Sequence, residues 1–211
     1  AGIIFPTGPR LIMGTPVADE TYVPRIAMSM PGASRKFNYV ALDGGSVPVL
    51  AINYLADQGC RKIGMFMTTQ QVSILDHCLK IISDRNCICR DEWIQFINSS
   101  YSWSAENVVK LLFKLDPKDV PDGIFIADDN LVGGVMNGIN ASHKRIPEDL
   151  LVASHSNFPA TFDHPKSIRL FGFNIRILLQ ESLRIIDMKN AGGKPPRAIL
   201  VKACSDRDFD S

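Results

Sequence analysis

The feature that most constrains the fold is the passage 121–152, in which an apolar strand runs into a polar turn and then a helix. The apolar residues at 124–127 predict a buried strand, and Asp128, Asp129 and Asn130 form the turn that opens the helix. A strand, a helix and a second strand joined by short links are typical of a parallel sheet. In such sheets ligands bind beyond the carboxyl ends of the strands. This turn is therefore a candidate site for the hydroxyl or amine groups of a small molecule.

The same alternation extends along the whole chain. Strands are predicted at 2–5, 25–30, 38–42, 63–67, 93–97, 124–127, 150–153, 168–171 and 198–201, and helices at 46–58, 72–83, 104–115, 129–139 and 174–188. The predicted core stripes are Val72, Leu75, Leu79 and Ile82 in one helix, and Val108, Leu111, Leu112 and Leu115 in another. The pattern indicates an α/β fold, a parallel sheet with helices on both faces.

Composition excludes several classes of protein. The 211 residues fit one large domain or two small ones. With 23 basic and 22 acidic side chains the net charge is +1, and no Lys/Arg cluster stands out. We therefore do not expect this chain itself to form a DNA-contacting surface. No apolar run approaches the ~20 residues of a membrane span.

The cysteine and histidine patterns favour neither a disulfide framework nor a metal site. The five cysteines are scattered, and Cys87 and Cys89 are separated by one residue instead of the two to four of a zinc knuckle. Free thiols in a reducing cytoplasm are the predicted state. The four histidines are scattered as well, so we expect no metal and no cofactor.

No catalytic motif is present in the sequence. It contains no GxSxG elbow, Walker A loop or GxGxxG fingerprint, and Gly133 and Gly134 fall inside a predicted helix instead of ahead of one. We therefore predict that the chain is not an enzyme.

Several polar residues follow predicted strands and allow two interpretations each. Asp43 either faces a ligand or forms the turn before Gly44. Asp128 either offers a carboxylate to a ligand or caps the following helix, with Asp129 the expected structural cap. His155 either contacts a ligand or lies in a solvated loop.

Two blocks carry a family resemblance, one of them the passage 121–152 described above. Residues 43–66 follow the pattern of an Asp that ends a strand and a helix that ends in "A..HL...GHR.IA.I", and 121–152 follow "PDAIFA.ND..A.GA…G..VPEDV.V". The matching residues are Ala51, Tyr54, Leu55, Gly59, Arg61, Lys62, Ile63, Pro121, Asp122, Ile124, Phe125, Ala127, Asp129, Gly134, Ile146, Pro147, Glu148 and Asp149. Over roughly 22–202 the chain resembles the effector-binding core of lactose/galactose-repressor (LacI/GalR) transcription regulators.

The resemblance implies a fold of two Rossmann-like parallel-sheet subdomains, of the periplasmic-binding-protein-like type, with a small ligand in the cleft between them. Residues 1–44 and 158–192 would form an incomplete N-terminal subdomain. Residues 45–157 and 193–211, with the last strand, would form the C-terminal subdomain. The helix-turn-helix headpiece and the first two strand–helix units of the family are expected to be missing.

The resemblance also implies a ligand-binding set, in which this chain departs from the family. The family's Arg at the start of the second predicted helix is replaced by Leu75 or Ser73, and its "GFDD" turn reads Ser-His-Ser-Asn at 154–157. Ser156 and Asn157 could donate to a ligand or close a loop, and Trp103 could lie against the ligand or only pack. The implied set is Asp43, Leu75, Trp103, Asp128, Ser156, Asn157 and Phe171. It favours a sugar or related metabolite, with a cationic or less hydroxylated ligand, or none, as alternatives.

The function implied by the resemblance is that of a cytoplasmic regulator core. It would bind a small effector, form a homodimer through 46–58 and 104–115, and act on operator DNA through the missing headpiece. A periplasmic solute-binding protein shares the fold and is the alternative. The unpaired cysteines and the "RIPEDL" link at 145–150 favour the regulator.

Overall fold

A computed structural model describes residues 1–6, 12–19, 22–28, 37–160 and 167–209. The chain divides into two compact units, each built from separate stretches of sequence. Unit 1 comprises Ala1–Gly44 and Phe173–Ala203, and unit 2 comprises Gly45–Gly172 and Cys204–Ser211. Residues 29 and 30, which end one predicted strand, lie outside the described residues.

The strands and helices of the described residues alternate as the sequence predicts, so the α/β class is confirmed. The strands are β1 (Ile3–Phe5), β2 (Arg25–Ala27), β3 (Asn38–Leu42), β4 (Ile63–Met67), β5 (Ile94–Phe96), β6 (Gly123–Ile126), β7 (Leu151–Phe158), β8 (Arg169–Asn174), β9 (Ala198–Val201) and β10 (Cys204–Ser205). The α-helices are α1 (Pro16–Asp19), α2 (Ser46–Asp57), α3 (Leu75–Asp84), α4 (Ser104–Leu112), α5 (Val132–Ala141), α6 (Ile175–Asn190) and α7 (Asp206–Phe209).

Unit 1 contains a four-stranded parallel sheet in the order β1-β2-β3-β9. Helix α6 buries Leu178, Ile185 and Ile186 against this sheet, in a cluster with Ile26 and Val40. The sequence prediction that β9 belongs to the other subdomain is wrong, because β9 pairs with β3 from Tyr39↔Ala198 to Leu42↔Val201. A four-residue apolar strand carries no signal of which sheet it will join.

Unit 2 contains a six-stranded sheet in the order β10-β8-β7-β6-β4-β5. The pairs joining β5, β4, β6 and β7 are parallel, whereas β10 runs antiparallel to β8. Because side chains alternate along a strand, Ile124 and Ile126 pack with α4 and α5, while the fully buried Phe125 faces the other side. Strand β6 is thus apolar on both faces, as expected of a central strand in a parallel sheet.

Two helices bury faces other than those predicted. Helix α4 buries Ala105, Val109 and Leu112, whereas Leu111 is 63% exposed and Leu115 is 44% exposed. The helix ends at Leu112, so Leu115 lies beyond it, and positions 105, 109 and 112 form the buried stripe. Val72, predicted for the core, is 53% exposed because 69–74 form a 3-10 helix ahead of α3.

Asp122 ties the starts of two neighbouring strands together. Its Oδ1 accepts hydrogen bonds from the backbone N–H groups of Arg61 at 3.0 Å and Lys62 at 2.8 Å. Its own backbone N–H donates to the Lys62 carbonyl at 2.9 Å. Asp122 therefore has a structural role in setting the register of β6 against β4.

The cysteines of the described chain are free, and three of them should react slowly. Burial raises the pKa of the Cys60, Cys78 and Cys89 thiols to about 12. At pH 8 only about 10⁻⁴ of each thiol is then ionised, against roughly a quarter in an unfolded chain. We expect iodoacetamide to label these residues at least ~100-fold more slowly in the folded protein than in concentrated urea, measured by peptide mass spectrometry. Equal rates in both conditions would contradict the burial of these thiols.

Candidate ligand site at the carboxyl edge of the unit 2 sheet

Three neighbouring strands of unit 2 place polar residues near the same edge of the sheet. Thr68 follows β4, Asp128 follows β6 by two residues, and His155 lies in the second half of β7. Thr68 Oγ1 lies 3.5 Å from Asp128 Oδ2, and Gln71 Nε2 donates to the Ala127 carbonyl at 2.6 Å. These bonds hold the turns after β4 and β6 side by side, at the edge where ligands bind in parallel sheets.

The turn after β4 is fixed by a capping box. Thr68 precedes the 3-10 helix Thr69–Ile74, its side chain accepts from the Gln71 backbone, and its own N–H donates to Gln71 Oε1 at 2.9 Å. Thr68 is only 3% exposed. Neither residue belongs to the predicted ligand set, although a Thr followed three positions later by Gln is a recognisable signal for a helix start.

Asp128 caps the 3-10 helix Asp129–Leu131, which leads into α5. Its Oδ1 accepts from the Asn130 backbone N–H at 3.0 Å and from Asn130 Nδ2 at 2.8 Å. The expectation that Asp129 would be the cap is therefore wrong, and the capping interpretation of Asp128 is confirmed. Among the described residues, its second carboxylate oxygen has only the long contact to Thr68, so capping leaves that oxygen able to accept from a ligand.

His155 is half-buried in β7, so its assignment to a solvated loop is wrong. Burial lowers the pKa of His155 below its usual value, against the opposing effect of the Asp129 and Asp128 carboxylates. The imidazole is therefore neutral at neutral pH and does not cancel the charge of the two carboxylates.

Trp103 stands at the N-terminus of α4 and is 66% exposed. The backbone of the preceding residue, Ser102, lies against Gly134 of α5. A Cβ added to Gly134 would collide with the Ser102 carbonyl oxygen. The loop that carries Trp103 thus lies beside the helix that follows Asp128. An exposed indole on such a loop offers an apolar face for a sugar ring or a base.

The remaining predicted ligand residues are dispersed. Leu75 is the half-buried first residue of α3, next to the capping turn. Ser156 is fully buried, with its hydroxyl donating to the Asn157 carbonyl at 3.2 Å, and Phe171 is buried with its ring 5.6 Å from the Tyr54 ring. Asn157 is half-buried, and its Oδ1 has no hydrogen-bond partner among the described residues. Within unit 2, Leu75 directly follows the 3-10 helix whose first turn contacts Asp128, and the loop that carries Trp103 lies against α5.

Asp43 lies in unit 1, directly after β3, where its backbone N–H donates to the Val201 carbonyl at 2.9 Å. It ends a strand as the sequence predicts. Its part in ligand binding, like those of Ser156, Asn157 and Phe171, stays a prediction.

The described part of the chain offers no group of three or more His, Cys, Asp or Glu side chains arranged to hold a metal ion. Within the same residues, no helix is both long and apolar enough to cross a membrane.

Parallel-sheet units with polar turns at the carboxyl strand ends define an α/β protein of the periplasmic-binding-protein-like fold. Residues 52–167, more than half of the chain, match the family described as "Periplasmic binding protein-like domain". The chain therefore belongs to that family.

Individual relatives agree with this assignment. The chain is 26% identical over 129 residues to the NTD biosynthesis operon regulator NtdR of Bacillus subtilis (strain 168), covering 59% of this chain and 38% of that protein. A LacI-family regulatory protein from Chloroflexus aggregans has a TM-score of 0.73 at 17% identity, over 87% of this chain and 66% of the other. A complex of the transcriptional regulator CelR with cellobiose has a TM-score of 0.70 at 19% identity, over 97% of this chain and 64% of the CelR chain. The two solved structures share the fold of this chain, and this chain spans two thirds or less of the length of each of the three relatives.

Proposed function

We propose that this chain is the effector-binding core of a cytoplasmic bacterial transcription regulator of the LacI type. It binds a small molecule, a sugar or related metabolite, at the carboxyl edge of the unit 2 sheet. One observation supports the proposal: Thr68 and Asp128, which follow β4 and β6, contact each other at the carboxyl edge of the unit 2 sheet, where parallel sheets bind ligands, and the loop of Trp103 packs on α5, the helix after Asp128. The relatives named above are regulators, and no catalytic turnover forms part of the proposal.

Regulation would follow from linkage between the effector site and DNA binding. An effector that prefers one conformation of the core shifts the population toward that conformation. The binding free energy for operator DNA then changes by the coupling free energy between the two sites. The chain's net charge of +1 supports the assignment of DNA contacts to a headpiece outside these residues. A homodimer would read a two-fold symmetric operator.

The two tryptophans provide a direct test of the proposed site. Trp93 is fully buried and Trp103 is 66% exposed, so a ligand at the carboxyl edge should change the emission of Trp103 alone. We expect one member of a panel of sugars, nucleosides, amino acids and polyamines to change the fluorescence and to raise the melting temperature. At 100 times its Kd, such a ligand stabilises the folded protein by ~2.7 kcal/mol.

The matched control is Trp103→Phe, which keeps an aromatic ring and leaves Trp93 as the only tryptophan. The emission change should disappear in this variant, while the rise in melting temperature remains measurable. A ligand that stabilises the protein without altering Trp103 emission would place its site elsewhere. A panel without any ligand would contradict the effector function.

A further inference from the structure

The formal charge of the chain is divided unevenly between its two units. Unit 1 carries ten Lys and Arg residues against five Asp and Glu residues, a charge of +5. Unit 2 carries thirteen against seventeen, a charge of −4. The net charge of +1 therefore hides a basic unit and an acidic unit. Such asymmetry within one chain is a recognised sign of contact with nucleic acid or another polyanion.

Four basic residues of unit 1 converge on the amino edge of its parallel sheet. Arg25 is the first residue of β2, and Arg197 directly precedes β9. Lys189, in the last turn of α6, reaches the same edge, because its Nζ donates to the Arg25 carbonyl at 3.0 Å. Lys194 lies in the exposed loop that leads from α6 to β9. The sequence shows no such cluster because 164 positions separate Arg25 from Lys189.

The cations at this edge contact aromatic rings and backbone carbonyls. The Arg25 guanidinium lies 6.0 Å from the centre of the Phe37 ring, and the Arg197 guanidinium lies 5.5 Å from the centre of the Tyr39 ring. Among the described residues, Arg25 and Lys189 donate to carbonyl oxygens and form no salt bridge. Their charges are therefore oriented without being neutralised, and they can attract an anion.

Like charges lie close together at the amino edge. Burial, followed by the neighbouring charges of Arg25 and Arg197, lowers the pKa of Lys189. Asp187 is the only acidic residue in the sequence from 182 to 198, which contains both Lys189 and Arg197. An anion bound at this edge would offset the repulsion among the cations.

From this geometry and distribution of charge, we infer that the amino edge of the unit 1 sheet contacts the phosphate backbone of operator DNA. The contact presupposes the proposed regulator function, and it adds sequence-independent affinity to the contacts of the headpiece. The strands that begin at Arg25 and after Arg197 lie on either side of β3, about 10 Å apart, which suits an extended polyanion. The expectation from composition that the chain has no DNA-contacting surface then applies to unit 2 alone.

The test uses the chain of 211 residues and a labelled DNA duplex of arbitrary sequence. Fluorescence anisotropy measures the affinity for the duplex between about 20 and 200 mM NaCl. Each neutralised phosphate contributes about −0.9 to the slope of log K against log salt, so the four cations predict a slope of about −3 to −4. A second duplex of unrelated sequence should bind with the same affinity and the same slope.

Variants that remove one charge each locate the contact. Arg197→Gln, at an exposed residue, should make the slope shallower by about one and weaken binding about 10-fold at the lowest salt. Lys189→Gln should have the same effect, and the melting temperature checks that each variant folds. Lys114→Gln is the matched control, because it removes the same charge from an exposed residue that follows α4 in unit 2. Its affinity and slope should equal those of the original protein.

The possible results separate this contact from the effector function. If Lys114→Gln weakens binding as much as Arg197→Gln, only the total charge matters and the assignment to the amino edge is wrong. It is also wrong if the chain does not bind the duplex at the lowest salt, or binds phosphatidylglycerol vesicles more tightly than DNA. Trp103 emission reports effector binding independently, so the effector function survives these results. If no compound of the panel binds while the DNA results are as expected, the effector function is wrong and the DNA contact stands.

Discussion

Replacing Gly172 with alanine should abolish stable folding of unit 2 or lower its free energy of unfolding by at least ~3 kcal/mol. Gly172 lies in β8, opposite Cys204 of β10. A Cβ at this position would overlap the Ser156 carbonyl oxygen and lie 2.6 Å from the carbonyl carbon. Both atoms belong to the backbone of β7, so no side chain can rotate to relieve the collision. Urea denaturation followed by the emission of buried Trp93 measures the loss in unit 2.

The control for this substitution is Gly44→Ala. Gly44 is exposed, and a Cβ added there meets no heavy atom within 4 Å. Its replacement should leave the stability within ~0.5 kcal/mol, or raise it slightly because alanine restricts the unfolded chain. If Gly172→Ala were as stable as Gly44→Ala, β7 and β8 would have to separate without cost, and the close approach at Ser156 would be wrong.

The sequence predicts the strands of this fold well because their signal is local. The bounds of β3, β4 and β9 agree with the predicted strands at 38–42, 63–67 and 198–201. Each is a short apolar run bounded by turn residues, and such a run can bury its side chains only as a strand in a layered α/β fold.

Pairing and burial are set by tertiary contacts, and the sequence pattern does not contain them. The apolar run of β9 fits either sheet, and its partner β3 lies more than 150 residues away along the chain. Leu111 follows a plausible helical stripe, yet the close contact of α4 with α5 selects Ala105, Val109 and Leu112 as the buried face. Sequence spacing gives the period of a helix but not the direction in which its neighbour lies.

The candidate site was predictable only where a turn carries chemistry of its own. Asp128 was found because it follows a buried strand and opens a helix, and the structure shows both features. The family pattern predicts Ser156 and Phe171 as ligand residues, but alternation along β7 turns the Ser156 hydroxyl inward, and packing against Tyr54 buries Phe171. Thr68 and Gln71 are absent from the predicted set, although the spacing of their capping box is a recognisable sequence signal.

Replacing Gly138 with alanine should lower the free energy of unfolding by about 1–3 kcal/mol, even though alanine is the better helix former. Gly138 lies in α5 where this helix packs on α4. A Cβ there would lie 2.5 Å from the Val109 Cβ and 2.8 Å from the Glu106 carbonyl oxygen. Neither atom is the end of a flexible side chain, so the two helices must move apart and loosen the cluster that contains Trp93. Urea denaturation monitored by Trp93 emission reports this loss directly.

Gly133→Ala, in the same helix, isolates the packing contribution. Gly133 is exposed, and a Cβ there meets nothing within 4 Å, so the helix gains alanine's propensity without a collision. This variant should be more stable than the original protein by about 0.5–1 kcal/mol. The two substitutions make the same chemical change five positions apart, so opposite signs attribute the difference to the contact between α4 and α5. If both variants gained stability, that contact would have to be loose enough to accept a methyl group, and the packing that positions Trp103 beside α5 would be less rigid than the structure indicates.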